Sequence, residues 1–267
     1  MAKIAIVYPP KRALAEELAN SLNELLTSHG SEVHLQPDSD VDKSTDFIVS
    51  VGGDGTVLWS VGIANEVPIL GINMGHRGYL TEVDSKDAWE SVERMIALDF
   101  EIDSRNMVKV EFLNREDLLP MHGLNEVNIV RSAPGKAVRV RTTIDNDPFL
   151  IYTADGILIS TATGSTGYNA SVGGPIISPQ VDCLVLTPVS PHLNLHHSVV
   201  LEPESEIVLE VMGIRTALAI VDGERQVSLN PGDLVRCKKS EKVTNLIRFN
   251  EHESFTKFLI SKLSNGS

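Results

Sequence analysis

Residues 46–56 read Asp-Phe-Ile-Val-Ser-Val-Gly-Gly-Asp-Gly-Thr, from Asp46 to Thr56. Phe47, Ile48, Val49 and Val51 make the short apolar run of a buried strand, and it leads straight into Gly52-Gly53-Asp54-Gly55-Thr56. A strand ending in glycines puts bare backbone at a sheet's carboxyl edge, where α/β proteins bind ligands. The missing Cβ atoms let N–H groups close on phosphate, and Thr56 is expected to cap the helix that follows. Asp54 does not belong in a plain anion cradle, because its carboxylate repels phosphate. It suits a site that binds a cation, or one that takes a proton from a hydroxyl about to attack phosphorus. A strand-to-helix turn using Gly and Asp only for their permissive dihedrals is the plainer alternative.

Around this stretch the first hundred residues alternate strand and helix. Ile4 to Tyr8 reads as a strand, and a helix is expected from about Lys11 to Ser28, with Leu14, Leu18, Leu22, Leu25 and Leu26 at helical spacing and Gly30 beyond its end. Val33 to Leu35 forms a second strand, and the Gly-rich turn leads into a short helix near Val57–Ala64. A strand at Pro68–Ile72 and a helix near Lys86–Ala97 follow, with Trp59 and Trp89 expected in the core. Such alternation implies an α/β domain, a mostly parallel sheet with flanking helices.

Past Asp103 the rhythm changes to short β-rich runs separated by turns such as Asp145-Asn146-Asp147-Pro148 and Asn230-Pro231-Gly232-Asp233. Many short strands at this spacing predict a β-rich domain of packed sheets. The expected division is 1–103, 104–245 and a tail of 246–267, in which Phe255 to Leu263 reads as an amphipathic helix able to dock on either domain.

The chain has 267 residues, 42% of them hydrophobic and 22% charged, and a formal charge of −13. So acidic a balance argues against non-specific binding to nucleic acid or membrane surfaces, which want a positive field. A phosphorylated small molecule stays compatible, since Mg²⁺ can reverse the local sign. Cys183 and Cys237 are the only cysteines. They form neither a zinc spacing nor a disulfide framework and fit a reducing cytosol. No apolar run reaches the ~18–20 residues of a membrane span. The start of the chain reads as a strand punctuated by Pro9-Pro10 rather than as a signal peptide. A soluble, cytoplasmic protein is expected.

A second polar, Gly-rich stretch runs from Thr153 to Pro175. Thr161, Thr163, Ser165 and Thr166 supply hydroxyls, Gly164 and Gly167 expose backbone, Tyr168 offers a flat face for a base, and Asp155 an acceptor. Together these groups suit a nucleoside; a connection whose hydroxyls satisfy their own backbone is the alternative. Other patterns fail. No Walker A run exists, since Gly135-Lys136 is followed by Ala137. No Gly-x-Gly-x-x-Gly follows the first strand. Thr163-Gly164-Ser165-Thr166-Gly167 lacks the first glycine of a hydrolase elbow. His192, His196 and His197 have no neighbouring carboxylates, so turn or packing roles suit them better than a metal site.

Four blocks in this order resemble the NAD kinase family: Gly52–Thr56; Asn73-Met74-Gly75-His76-Arg77-Gly78-Tyr79-Leu80; Asn125-Glu126; and Asp155-Gly156 through Tyr168-Asn169. Asp222-Gly223 is a fifth, weaker match. The resemblance implies phosphoryl transfer from ATP or polyphosphate to the 2′-hydroxyl of the adenosine ribose of NAD, giving NADP. It implies Asp54 as the proton acceptor. It implies ligand contacts at Gly53, Gly55, His76, Asn125, Glu126, Arg139, Thr153, Asp155, Thr163, Ser165, Thr166, Gly167, Tyr168, Asn169, Ala170, Ser171 and Asp222. Some of these would come from a neighbouring subunit, which implies a homodimer or homotetramer. Mg²⁺ or another divalent cation would arrive with the triphosphate, with no protein ligands assigned to it. The tail would return to the first domain. Ala162, Gly167, Arg77 and Tyr79 depart from the family's commoner residues without removing a group that has a chemical role.

Three other readings compete: a lipid or sugar kinase sharing the Gly-Gly-Asp-Gly turn, a dinucleotide sensor without catalysis, and a hydrolase removing the 2′-phosphate of NADP. Asn125-Glu126 and the loop at 163–169 count against the first, and the carboxylate of Asp54 against the second.

Overall fold

The structure, a computed structural model, describes residues 1–36, 41–42, 44–75, 78–192, 196–249 and 255–264. The chain forms two compact units, Met1–Ser104 together with Asn245–Ser267, and Arg105–Thr244.

The first unit runs β1 (Lys3–Val7), α1 (Ala13–Ser28), β2 (Glu32–Leu35), β3 (Phe47–Gly52), α2 (Asp54–Ala64), β4 (Ile69–Asn73), β5 (Val83–Asp84) and α3 (Ala88–Ile96). Strand β6 (Glu101–Phe112) then carries the chain into the second unit. The sheet order is β2–β1–β3–β4, and every pair is parallel. All six residues of β3 are buried, as a central parallel strand covered on both faces requires. Because β1 lies between β2 and β3, the direction of winding reverses there. The turns after β3 and β4 therefore lie at the carboxyl edge beside a topological switch point.

Helix α1 buries Ala15, Leu18, Ala19, Leu22 and Leu26, a stripe at three- and four-residue spacing. Leu14, expected on that stripe, is 72% exposed, because the buried stripe runs through Ala15 one position on. Gly30 takes φ +82 just past the helix, a left-handed termination that glycine adopts without a Cβ penalty. Helix α3 buries Ala88, Ser91, Val92 and Met95. Trp89 falls between those positions and is 44% exposed, which corrects its expected place in the core; Trp59 is half-buried.

The second unit contains β7 (Met121–Gly123), β8 (Glu126–Arg131), β9 (Val138–Ile144), β10 (Asp147–Ala154), β11 (Gly156–Thr161) and a short helical turn α4 (Tyr168–Ser171). It continues with β12 (Leu184–Val189), β13 (Val199–Leu201), β14 (Ile207–Met212), β15 (Ala217–Val221) and β16 (Arg225–Leu229). Strand β17 (Leu234–Arg248) returns the chain to the first unit, where Leu246 pairs with Ile69, and α5 (Phe255–Ser264) follows. One antiparallel sheet has the order β13–β12–β11–β8–β15–β16, and a second run is β10–β9–β14–β17. Val127, Ile129, Ile157 and Ile159 of the first share one core with Val140, Tyr152, Leu209 and Val235 of the second. Alternating strand patterns turned toward each other produce that arrangement. Asp147 and Pro148, read from sequence as turn residues, belong to β10. The turn is only Asp145–Asn146, at φ +52 and +68, the tight form whose twist matches a hairpin.

Candidate active site

In the first unit, β3 delivers the chain to Gly52, where a Cβ would overlap the side chain of Thr56. Gly53 is the extended N-cap of α2, and Asp54 is its first residue. The helix thus starts three residues before the expected Val57. Thr56 does not cap it: its N–H and that of Val57 both donate to the carbonyl of Gly53, at 2.9 and 3.2 Å. The first turn closes through backbone, and the threonine side chain packs inward against the bare Gly52. A Cβ on Gly53 or Gly55 would meet nothing within 4 Å. Both glycines border open space at a helix N-terminus, where backbone N–H groups and the helix dipole favour anions.

The Asp54 carboxylate turns toward the segment after β4. It accepts the N–H groups of Tyr79, Leu80 and Thr81 at 2.7, 3.0 and 3.3 Å. Gly78 makes room for it, since a Cβ there would overlap the whole carboxyl group. Burial, and then the charge of Asp54, push the Tyr79 phenol upward. Asn73 ends β4, donates to the Gly75 carbonyl at 2.6 Å and accepts the Gly75 N–H at 3.1 Å. His76 and Arg77 lie outside the described residues.

In the second unit Asn125 and Glu126 are held by Asp222, which stands at φ +50 past the end of β15. Its carboxylate accepts N–H groups from Leu124, Asn125 and Glu126 at 2.8, 2.8 and 3.1 Å, and its own N–H donates to the Glu126 carbonyl. Burial pushes Asp222 up, while the three amides and Arg225 oppose the shift. Thr161 fastens the other side, donating its hydroxyl to the Leu124 carbonyl at 2.6 Å and accepting the Gly164 N–H at 3.1 Å. A Cβ on Gly164 would overlap the Asn125 backbone, and one on Gly167 would sit 3.4 Å from Asn125 Nδ2 and 3.6 Å from Glu126 Oε2. Asn125, Glu126, Gly164, Gly167 and Asp222 are therefore brought together. Glu126 is 8% exposed, and its Oε2 is buried without a hydrogen-bond partner. Burial first, and the Asp222 charge second, push its carboxyl up to about 8.

The polar stretch beyond is folded rather than open: a 3₁₀ turn over Thr163–Thr166 precedes α4. Ser165 is fully buried, its hydroxyl donating to the Ile177 carbonyl and accepting the Ile177 N–H at 3.1 and 2.9 Å. Asn169 is also fully buried, bonded to the Ser165 and Pro175 carbonyls and to the Thr187 hydroxyl. Thr163 accepts from Arg105, and the Thr166 hydroxyl donates back to the Thr163 carbonyl. Tyr168 and Ser171 are exposed, with Gly167 and Ala170 half-buried. Asp155 pairs with Arg131 at 3.2 Å. Arg139 and Thr153 face each other across β9 and β10, on the other sheet of the unit. Sequence reasoning named the Thr161 hydroxyl but not its hold on Leu124, and missed Gly78 as the residue that makes room for Asp54; each acts on a residue far along the chain, which local spacing does not reveal.

Among the described residues, no group of three or more His, Cys, Asp or Glu side chains could hold a metal ion. No helix among them is long and apolar enough to cross a membrane.

Residues 8–100 match the ATP-NAD kinase N-terminal domain, and residues 124–249 the ATP-NAD kinase C-terminal domain. An NAD kinase of Dehalococcoides mccartyi (strain CBDB1) is 33% identical over 99% of this chain and 97% of its own length. One from Thermoanaerobacter sp. (strain X514) is 33% identical over 91% of this chain and 87% of its own. Yeast NADH kinase complexed with NADH shares the fold at a TM-score of 0.89 and 22% identity, covering 99% of this chain and 88% of that one. An NAD kinase from Archaeoglobus fulgidus in complex with ATP superimposes at a TM-score of 0.76 and 26% identity, over 96% and 97% of the two chains.

Proposed function

The chain belongs to the NAD kinase family and phosphorylates NAD to NADP, and on that premise we propose how its residues divide the work. The reading rests on one observation: a carboxylate, Asp54, held by three amides at the start of α2 between two glycines that border open space. ATP is the proposed donor, its terminal phosphates lying against the Gly53 and Gly55 backbone. A carboxylate offers about four lone-pair directions. Three amides leave one for the 2′-hydroxyl of the adenosine ribose. As the new O–P bond forms and the bond from the γ-phosphorus to ADP breaks, the hydroxyl proton passes to Asp54. General-base help of this kind contributes ~10²–10⁴ in rate.

A divalent cation such as Mg²⁺, arriving with the phosphates, would supply charge neutralisation. The residues fit a metal of that kind and not a resident one, because the only carboxylate of the Gly52–Thr56 turn is committed to backbone amides. Glu126 Oε2, buried and unbonded, is the proposed acceptor for a ribose hydroxyl, with Asn125 beside it. Exposed Tyr168 offers its ring to a base, and Arg139, Thr153, Asp155, Thr163, Thr166, Gly167, Ala170 and Ser171 complete the proposed dinucleotide contacts. His76 is proposed as a further ligand contact. Ser165, Asn169 and Asp222 shape the site from behind. We further propose a homo-oligomer with shared contacts, a cytoplasmic location, and α5 packed on the first unit.

NADP formation from NAD, ATP and Mg²⁺ by purified protein, coupled to an NADP-specific dehydrogenase, tests the reading beside Asp54→Asn. Turnover should collapse in the variant while calorimetric NAD binding persists. Near-normal turnover would remove Asp54 from the base role, and polyphosphate in place of ATP tests the donor.

A further inference from the structure

Arg248 stands near the end of β17 and is 9% exposed. Its Nη1 donates to the Leu80 carbonyl at 3.3 Å and to Glu82 Oε2 at 3.0 Å, and its Nε donates to Asp103 Oδ2 at 3.3 Å. Glu82, also buried, accepts the Phe249 N–H on Oε1 at 2.9 Å, and its own N–H donates to the Gly71 carbonyl at 2.8 Å. The segment from Leu80 to Glu82 is thus fixed on one side by β4 and on the other by the last residues of β17.

One peptide plane joins this cluster to the reaction centre. The carbonyl of Leu80 and the N–H of Thr81 belong to the same amide group. The carbonyl accepts from Arg248, and the N–H donates to Asp54 Oδ1 at 3.3 Å. A cation on the oxygen of an amide draws electrons from its nitrogen, so the N–H becomes the stronger donor. The same contact keeps the neighbouring N–H groups of Tyr79 and Leu80 aimed at the carboxylate. We propose that Arg248, supported by Glu82, is a positioning residue for Asp54, acting through the Leu80–Thr81 peptide. The inference rests on the reading of Asp54 as proton acceptor. It adds that the base is oriented from a residue 168 and 166 positions removed from its contacts at Leu80 and Glu82.

The test compares Arg248→Met and Arg248→Lys with the wild type, each alone and combined with Asp54→Asn. Arg248→Met should lower kcat about 10- to 100-fold, the effect of a reacting group displaced by an ångström or less, with KM for NAD changed less than twofold. Arg248→Lys should recover part of the loss. In the Asp54→Asn background, Arg248→Met should cost nothing further. Equal losses in both backgrounds, or a loss carried by KM with kcat unchanged, would overturn the proposal. If Arg248→Met does not fold, Arg248→Lys and Glu82→Gln are read by the same criteria. Amide hydrogen exchange at Tyr79, Leu80 and Thr81 separates the two readings. Faster exchange in the Arg248 variants with Asp54→Asn fully active leaves the clamp intact and removes the base assignment. Unchanged exchange with Asp54→Asn inactive does the opposite.

Discussion

The carboxylate of Asp54 fills the space a side chain at Gly78 would need. The two residues are 24 positions apart, yet any Cβ at Gly78 would overlap all three terminal atoms of the aspartate. Gly78→Ala must therefore push the carboxylate off the amides of Tyr79, Leu80 and Thr81. Activity should fall about 10²-fold, mostly in kcat, and the melting temperature should fall as well, since three amides lose their acceptor. Steady-state kinetics beside a thermal melt checks this.

Asp222 offers a second point of control. Its oxygens accept three N–H groups from Leu124, Asn125 and Glu126. Asp222→Asn replaces one acceptor by an NH₂ facing those donors. A buried donor left unmatched costs about 1–3 kcal/mol, so denaturant melts should show a loss of that size. KM for NAD should rise about tenfold, equivalent to ~1.4 kcal/mol, with kcat less affected.

The raised carboxyl of Glu126 predicts a pH signature. Its pKa is about 8 in the folded protein against 4.5 for the free side chain. The folded state therefore binds the extra proton between those values, and this group's stabilising contribution is whole below about 4.5 and lost as pH rises toward 8. Glu126→Gln removes the titration, so the decline of melting temperature from pH 5 to 8 should flatten. If a ribose hydroxyl donates to Glu126, NAD binding at pH 7 should release protons. Calorimetry in two buffers of different ionisation enthalpy would measure it, and identical heats would discard that contact.

Asn169 should prove structural. Its amide holds the Ser165 and Pro175 carbonyls and the Thr187 hydroxyl in a fully buried setting. Asn169→Ala should cost about 1–3 kcal/mol in unfolding free energy, and saturating NAD should restore part of the lost melting temperature. A variant that melts like the wild type would refute the assignment.

The strand ending at Gly52 was legible because six buried residues followed by glycines have few other homes. The β-rich half was legible from its turn spacing. Sequence alone could not tell which polar groups face outward. Thr163, Ser165 and Asn169 read as ligand groups in a Gly-rich loop, but the 3₁₀ turn and α4 rotate Ser165 and Asn169 fully inward. Asp222 looked like a minor match, since its three partners lie 96 to 98 residues earlier. Thr56 misled because the Gly53 carbonyl already closes the helix turn. Trp89 misled because it sits among helical apolar positions, while the buried stripe of α3 runs through Ala88, Ser91, Val92 and Met95. These features concern direction or long-range pairing, which local spacing does not encode.

The end of strand β17 and the residue after it supply Ile247 and Phe249 to the core of the first unit, with Leu246 paired to Ile69 and Arg248 buried beside them. During synthesis these residues leave the ribosome long after Ser104, whose hydroxyl bonds to Asn245 across 141 positions. At ~5–20 residues per second, that is a wait of roughly 7–28 s. The second unit, continuous in sequence, can close first. The segment bearing Asp54 waits for the last residues of β17, so a nascent chain that stalls after Thr244 should be protease-sensitive in its oldest part and resistant in its newer one.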